Sequence, residues 1–477
     1  MKSLTHARHS LAKDSVSLSH VMAQGLISNG PLASTVAALT AAAAYSLGSL
    51  PLTYIMGGLM VFLWLNTPLQ FSKKLASASG MQYFVAKGMG GVWGYMAGLS
   101  YALYYTALPA ANAVLFSVII TSIMQQFGIA HPLAWLWVPL TLLFVIPSTI
   151  LTYLGIKSSL SYGAATAIIE IVILVLVSLF IIAKVGAHNT MAVYNPHLAA
   201  GGISGFAIGS LVASFGMSGS TAAVYLGNEA KAPLTTIRKS LFASGAMIVL
   251  MFILVSYALT VGWGYTKMGS FASSSIPGLL VIHHYLGAAA ELIFTVFVIN
   301  SLIGINVASS IVVSRLFLSF SKAQLFPQKL GQIHATHQTP SQAVIVASLL
   351  TAVMAMAGGA IWGPSTGFVV LILIATMSMF LGHALGNIAL PVYYAKLKAL
   401  NWPIHILVPM ISLGLILLGV FFTFFPITTP LVYAPIITLV VIGAGVIQYI
   451  FLARHRRHIT EAAIQEIDLE DEAVVGD

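Results

Sequence analysis

The chain has 477 residues, 58% of them hydrophobic and only 6% charged, with a formal net charge of +9. A soluble domain carries roughly 25% charged residues, so a water-soluble fold of this length is excluded and a bilayer is the fitting solvent. There is no cysteine, which excludes disulfides, thiolate metal sites and cysteine nucleophiles.

Residues 1–15 are polar, with no small-residue cleavage site, and read as a cytoplasmic N-terminal segment. A membrane span needs roughly 20 apolar residues. On that rule the sequence predicts about twelve helices, near 16–43, 47–71, 90–124, 133–155, 160–184, 203–226, 239–263, 288–319, 342–361, 366–393, 404–425 and 431–452. The third and eighth are unusually long, as tilted spans are. Seven of the eleven acidic residues fall between Glu461 and Asp477, so 456–477 reads as an acidic, solvated tail. Neither the basic body nor this tail has the pattern of a nucleic-acid binder.

The loop charges test the count. With the N-terminus inside, 18 of the 20 Lys and Arg residues are cytoplasmic, and only Lys184 and Lys267 fall outside. Basic residues concentrate in cytoplasmic loops, and one missed span would reverse every later loop. Both termini are therefore expected in the cytoplasm, and the chain in the cell membrane.

Two spans look interrupted. The first contains Ser28-Asn29-Gly30-Pro31, just after Ile27; the sixth contains Phe215-Gly216-Met217-Ser218-Gly219-Ser220. Proline cannot donate a backbone hydrogen bond, and glycine loosens the helix. Each break begins roughly 12 residues into its span, about 18 Å deep. Gly and Pro are common in membrane helices, so either break alone reads equally as a kink. Matched breaks in two halves are the sequence pointer to a transporter site. The halves would be 16–200 and 201–400, inverted because each holds five spans, followed by two helices over 401–455. A half-helix that stops presents carbonyls, and one that restarts presents N–H groups. Such a pair would hold the amine and carboxylate of a zwitterion. Ile27, Ser28, Asn29, Gly30, Phe215, Gly216, Met217, Ser218 and Gly219 are thus the candidate substrate-binding residues, with Phe215 a candidate aromatic gate.

Several segments resemble the amino acid–polyamine–organocation (APC) family of secondary transporters. Gly219-Ser220-Thr221 leading to Leu226-Gly227-Asn228-Glu229-Ala230-Lys231-Ala232-Pro233 is similar to that family's sixth helix and following loop. Ala78-Ser79-Gly80 with Tyr83, Leu154-Gly155-Ile156-Lys157, Ser314-Arg315, Leu325-Phe326-Pro327 and Thr339-Pro340 resemble further stretches, over roughly residues 16 to 400. The chain departs at helix 1, where the family often has Gly-Ser-Gly-Ile-Phe and this sequence has Ser28-Asn29-Gly30-Pro31-Leu32. The resemblance implies an all-α membrane fold of the LeuT-like type: ten helices in two inverted repeats plus two more, with alternating access around a central site.

Polar residues within spans are the remaining candidates. Glu170 lies about ten residues into the fifth span, roughly 15 Å deep. A charged, unpaired carboxyl there costs several kcal/mol, so Glu170 reads as a proton-coupling site or as a neutral carboxyl bonded to another helix. Gly163, Thr166 and Ala167 share its face, where Thr166 could bond across a close helix contact. His383, in the tenth span, is a second proton candidate, although a packing role is commoner. Tyr104, Asn112, Asn300 and Asn306 are candidates for cavity lining or for polar contacts between helices. Ser309 and Ser310 are a candidate sodium site with helix 1 carbonyls. His283-His284 reads as an exposed outer loop without the further ligands a metal site needs.

No phosphate-binding glycine loop, zinc-protease motif or nucleophile elbow is present. The sequence therefore predicts a transporter and not an enzyme, with no cofactor. Its expected partners are an amino acid or related amine, a proton or sodium ion, and the lipid bilayer. Coupling to protons or substrate exchange leads; a sodium-coupled carrier on the same fold is the alternative. A channel is less consistent, because neither a charged ring nor a carbonyl filter is present, and so is a sensor, because the loops are too short to supply a signalling domain.

Overall fold

The structure is a computed structural model that describes residues 10–455, apart from 37, 130–131, 275 and 426–427. Lys2, Arg8, Arg456, Arg457 and the acidic tail lie outside the described residues. Among the described residues the fold is all-helical; a single bridge between Val16 and Ala230 is the one β-type pairing. Ten helical stretches among the described residues are long and apolar enough to cross a membrane.

The first expected span is divided. α1 (Leu18–Asn29) ends at Gly30, which takes the left-handed conformation with φ 52°. α2 (Pro31–Val36) restarts with a proline, which needs no N–H partner at that position. α3 (Ala38–Ser46) then runs through the 3₁₀ turn Leu47–Ser49 into α4 (Leu50–Phe71). The expected boundary between the first two spans is therefore a bend within a stretch that remains helical from 38 to 71.

α5 (Met81–Met89) is a short helix with Lys87 in its last turn. The two longest helices are α6 (Gly91–Gln126), of 36 residues, and α13 (Ala288–Lys322), of 35. α7 (Trp137–Tyr153) is apolar but only 17 residues long. α8 (Ile156–Val185) follows, then α9 (Ile203–Gly216) and the 3₁₀ segment Ser218–Leu226. α10 (Pro233–Trp263) leads to the short helices α11 (Met268–Ser273) and α12 (Pro277–Leu286). His283 and His284 thus sit on a helix and not in the expected loop. The chain closes with α14 (Ser341–Trp362), α15 (Pro364–Lys396), α16 (Val408–Phe424) and α17 (Tyr433–His455).

α1 is the hub. It packs against α8, α10, α13 and the 3₁₀ segment Ser218–Leu226. α6 supports a second layer formed with α13, α14 and α15. The outer faces are apolar: Ile168, Val172, Leu176 and Leu179 on α8, and Leu349 and Val353 on α14, are all exposed. In water such faces would aggregate; against lipid they need no further cover.

Candidate functional site

The two breaks meet. The Gly219 N–H donates to the Asn29 side-chain oxygen at 3.1 Å. A Cβ on Gly219 would fall 2.6 Å from the Asn29 nitrogen, so the approach requires glycine. Ile27, Ser28, Asn29, Gly30, Met217, Ser218 and Gly219 are buried, and Phe215 and Gly216 are partly buried. The Ser28 hydroxyl and the Asn29 amide nitrogen are buried without a hydrogen-bond partner among the described residues. Unpaired backbone and polar groups at this depth are tolerated where they line a cavity or pack in protein.

Glu170 reaches the same place from α8. One of its oxygens, Oε2, accepts from the Leu32 N–H at 3.2 Å and from the Ser301 hydroxyl at 2.6 Å. Ser301 in turn accepts from the Ala33 N–H at 3.2 Å. The first donors of α2 are thus taken by α8 and α13 side chains. Glu170 is 2% exposed, and its partners among the described residues are neutral donors. Beside it, the Tyr162 hydroxyl donates to Asn300 Oδ1 at 2.6 Å. Gly163 packs on Ile27, as its expected face requires. Thr166 differs: its hydroxyl turns back to the Gly163 carbonyl of its own helix, at 3.2 Å, and makes no bond across to α1.

On the other side of α1, Tyr105 of α6 sits beside Ser28 and Thr221, and Tyr104 beside Ser218. The Asn112 amide donates to Asn306 at 3.2 Å, leaving the Asn306 amide nitrogen unpaired. The Ser309 and Ser310 hydroxyls also lack partners. Next to them Gln24 donates to the Ala308 carbonyl at 3.0 Å, while its own oxygen is unpaired.

Phe215 and His383 belong to a different cluster. The Phe215 ring packs on Phe380 at 4.3 Å and edge-on to Trp64 at 5.0 Å, and it faces Gly419 of α16. His383 shares a 2.7 Å hydrogen bond with the Tyr101 hydroxyl and lies 5.6 Å from the Trp64 ring. The cluster touches the break through Ser218, whose hydroxyl contacts Met379 sulfur at 3.3 Å.

At each end of the bundle an acidic residue is clamped. Glu229 pairs with Arg315, where α13 meets the loop after the 3₁₀ segment. At the other end Glu291 meets His283 Nδ1 at 2.6 Å and the Gln126 amide at 3.2 Å. Gln24, Tyr162, Trp64 and Ser301 were not singled out from sequence. A polar residue inside an apolar half-helix was the available signal for Gln24, and the Asn300-Ser301 dipeptide was the signal for Ser301.

The family described as amino acid permease matches residues 20–459. The branched-chain amino acid permease BcaP of Bacillus subtilis (strain 168) is 23% identical over 318 residues, which is 63% of this chain. The match spans 66% of that relative's length. With nearly all the described helices inside the matched region, the chain belongs to the amino acid permease family, a family of transporters and not of enzymes.

Proposed function

We propose that this protein carries an amino acid across the cell membrane by alternating access, as a secondary transporter. The observation that carries the reading is the meeting of the two breaks, Gly219 N–H on Asn29 Oδ1, with unpaired buried polar atoms beside it. In this reading α1 with α2, and α7, count as spans beside the ten longer ones, giving twelve. Residues 16–200 and 201–400 form inverted repeats, 401–455 add two helices, and both termini face the cytoplasm.

The substrate amine would meet the carbonyls at the end of α1, and Ile27, Ser28, Asn29, Gly30, Gly216, Met217, Ser218 and Gly219 would form its seat. Tyr104, Asn112 and Asn300 would line the adjoining space, and Phe215 would move with α9 to open or cover it. A neutral, apolar side chain is favoured. Ile305 packs on Gly30, Glu170 is the one carboxyl at the seat among the described residues and so leaves no further acid to attract a cationic side chain, and the similar Bacillus subtilis protein is named for branched-chain amino acids.

Glu170 would carry the coupling proton. Its partners are neutral donors, so among the described residues the carboxylate has no fixed countercharge to hold it ionised throughout the cycle. His383 is the second proton candidate. The runner-up, sodium coupling, draws on the unpaired hydroxyls of Ser309 and Ser310. The test is uptake by purified protein in liposomes, across labelled amino acids and polyamines, with proton and sodium gradients imposed separately. Accumulation of a neutral amino acid driven by the proton gradient supports the reading. Accumulation driven by sodium alone selects the alternative, and movement of no amine overturns the substrate class.

A further inference from the structure

We propose that an open groove between the start of α1, the end of α4 and the start of α10 binds an anionic phospholipid. The groove encloses about 580 Å³. Three cations line it: Lys73 just past α4, and Arg238 and Lys239 in the second turn of α10. All three are exposed, and among the described residues none of their side chains makes a hydrogen bond or ion pair and no carboxylate lines the groove. Like charges gathered without a counter-ion repel one another, and an anion seated among them relieves that repulsion.

The charge alone would suit any phosphate. The walls select the amphiphile. Leu69 lies one turn before Lys73, and Phe242 one turn after Arg238, so each sits about 5.4 Å farther along its helix toward the apolar middle of the bundle. Phe242 is 58% exposed and Leu18, at the start of α1, is 37% exposed. Cations at the water boundary with open apolar surface one turn deeper match a headgroup phosphate and the beginning of an acyl chain. Gln70 stands between them, 8% exposed, with its side-chain oxygen buried and unpaired among the described residues. The occupant therefore touches α1, the helix that carries the first break, at the end opposite the break.

The full chain purified in detergent tests this, with phosphatidylglycerol, phosphatidylcholine and inorganic phosphate added separately. The readouts are the unfolding midpoint and the lipid retained in native mass spectrometry. Phosphatidylglycerol should raise the midpoint and remain bound, while phosphatidylcholine and phosphate should do neither. Replacing Lys73, Arg238 and Lys239 together by Gln should weaken phosphatidylglycerol retention roughly a hundredfold, about fivefold per charge. Lys157→Gln with Lys329→Gln, which removes two exposed cations elsewhere, should leave it unchanged. If the triple variant does not fold, Lys73→Gln alone should still show its fivefold share. Undiminished retention by these groove variants, or equal stabilisation by phosphatidylcholine or by phosphate, overturns the proposal.

Discussion

The guanidinium of Arg315 grips both oxygens of Glu229, Nε to Oε2 and Nη2 to Oε1, each at 2.7 Å, with both side chains at most 1% exposed. The remaining Arg315 nitrogen, Nη1, donates to the Ile311 carbonyl and the Ser314 hydroxyl. Both charges are fully matched by geometry, which is the condition under which a buried ion pair is tolerated. Removing one partner strands the other. Glu229→Gln or Arg315→Ala should each destabilise by about 3–5 kcal/mol. Arg315→Lys should rescue poorly, because an ammonium cannot make the two-pronged contact. Thermal unfolding in detergent measures this, and single variants as stable as the parent would refute it.

Glu170 separates coupling from binding. Glu170→Gln keeps an oxygen that can accept from the Leu32 N–H, so the fold and substrate exchange should survive. Accumulation driven by a pH gradient should be lost. Counterflow and gradient-driven uptake, measured on the same liposomes, distinguish the two. If pH-driven accumulation persists in the variant, the proton does not travel on Glu170.

Ser301 positions that carboxyl and caps Ala33. Ser301→Ala leaves a buried backbone N–H unpaired, at a cost of about 1–3 kcal/mol. The lowered stability should come with an altered pH dependence of uptake, and Ser301→Thr, which keeps the hydroxyl, should restore both. A stability loss with an unchanged pH profile would mark Ser301 as purely structural.

Gly219→Ala inserts a methyl group 2.6 Å from the Asn29 nitrogen, which is backbone and cannot step aside cheaply. The two breaks must separate. Uptake should fall by at least tenfold while the protein still elutes as a single species from size-exclusion chromatography. Normal uptake would show that the close contact is dispensable.

At the opposite end, His283→Ala leaves the Glu291 carboxyl, 2% exposed, with Gln126 as its one side-chain partner among the described residues. A loss of about 1–3 kcal/mol is expected, and His283→Gln, which can still donate, should recover part of it. Equal unfolding midpoints for parent and His283→Ala would disprove the contribution.

The ten membrane-length helical stretches and both breaks were legible in sequence because hydropathy, glycine and proline act locally, while the first and fourth expected spans fall short of that length in the structure. Partners were not. Glu170 and Ser301 lie 131 residues apart, and nothing along the chain says that their faces meet. Glu229 and Arg315 both stood in segments that carried the family resemblance, yet their pairing appears only once α13 packs beside the loop. Short helices such as α12 also escaped, since ten residues are too few to register as a span. Phe215 was expected over the breaks, and its ring packs on Trp64 and Phe380. Composition identifies an aromatic side chain, but the direction of its helix face decides what it meets.

The bridge at Val16 has a mechanical meaning. The Val16 N–H donates to the Glu229 carbonyl and the Lys231 N–H to the Val16 carbonyl, each at 3.0 Å. The half-helices α1 and Ser218–Leu226 are therefore stitched together at their outer ends, as Asn29 and Gly219 stitch them at the break. Two rods joined at both ends resist scissoring. These two strips of chain, some two hundred residues apart, are thus tied by hydrogen bonds at each end, and a swing of one that left the other behind would have to break them.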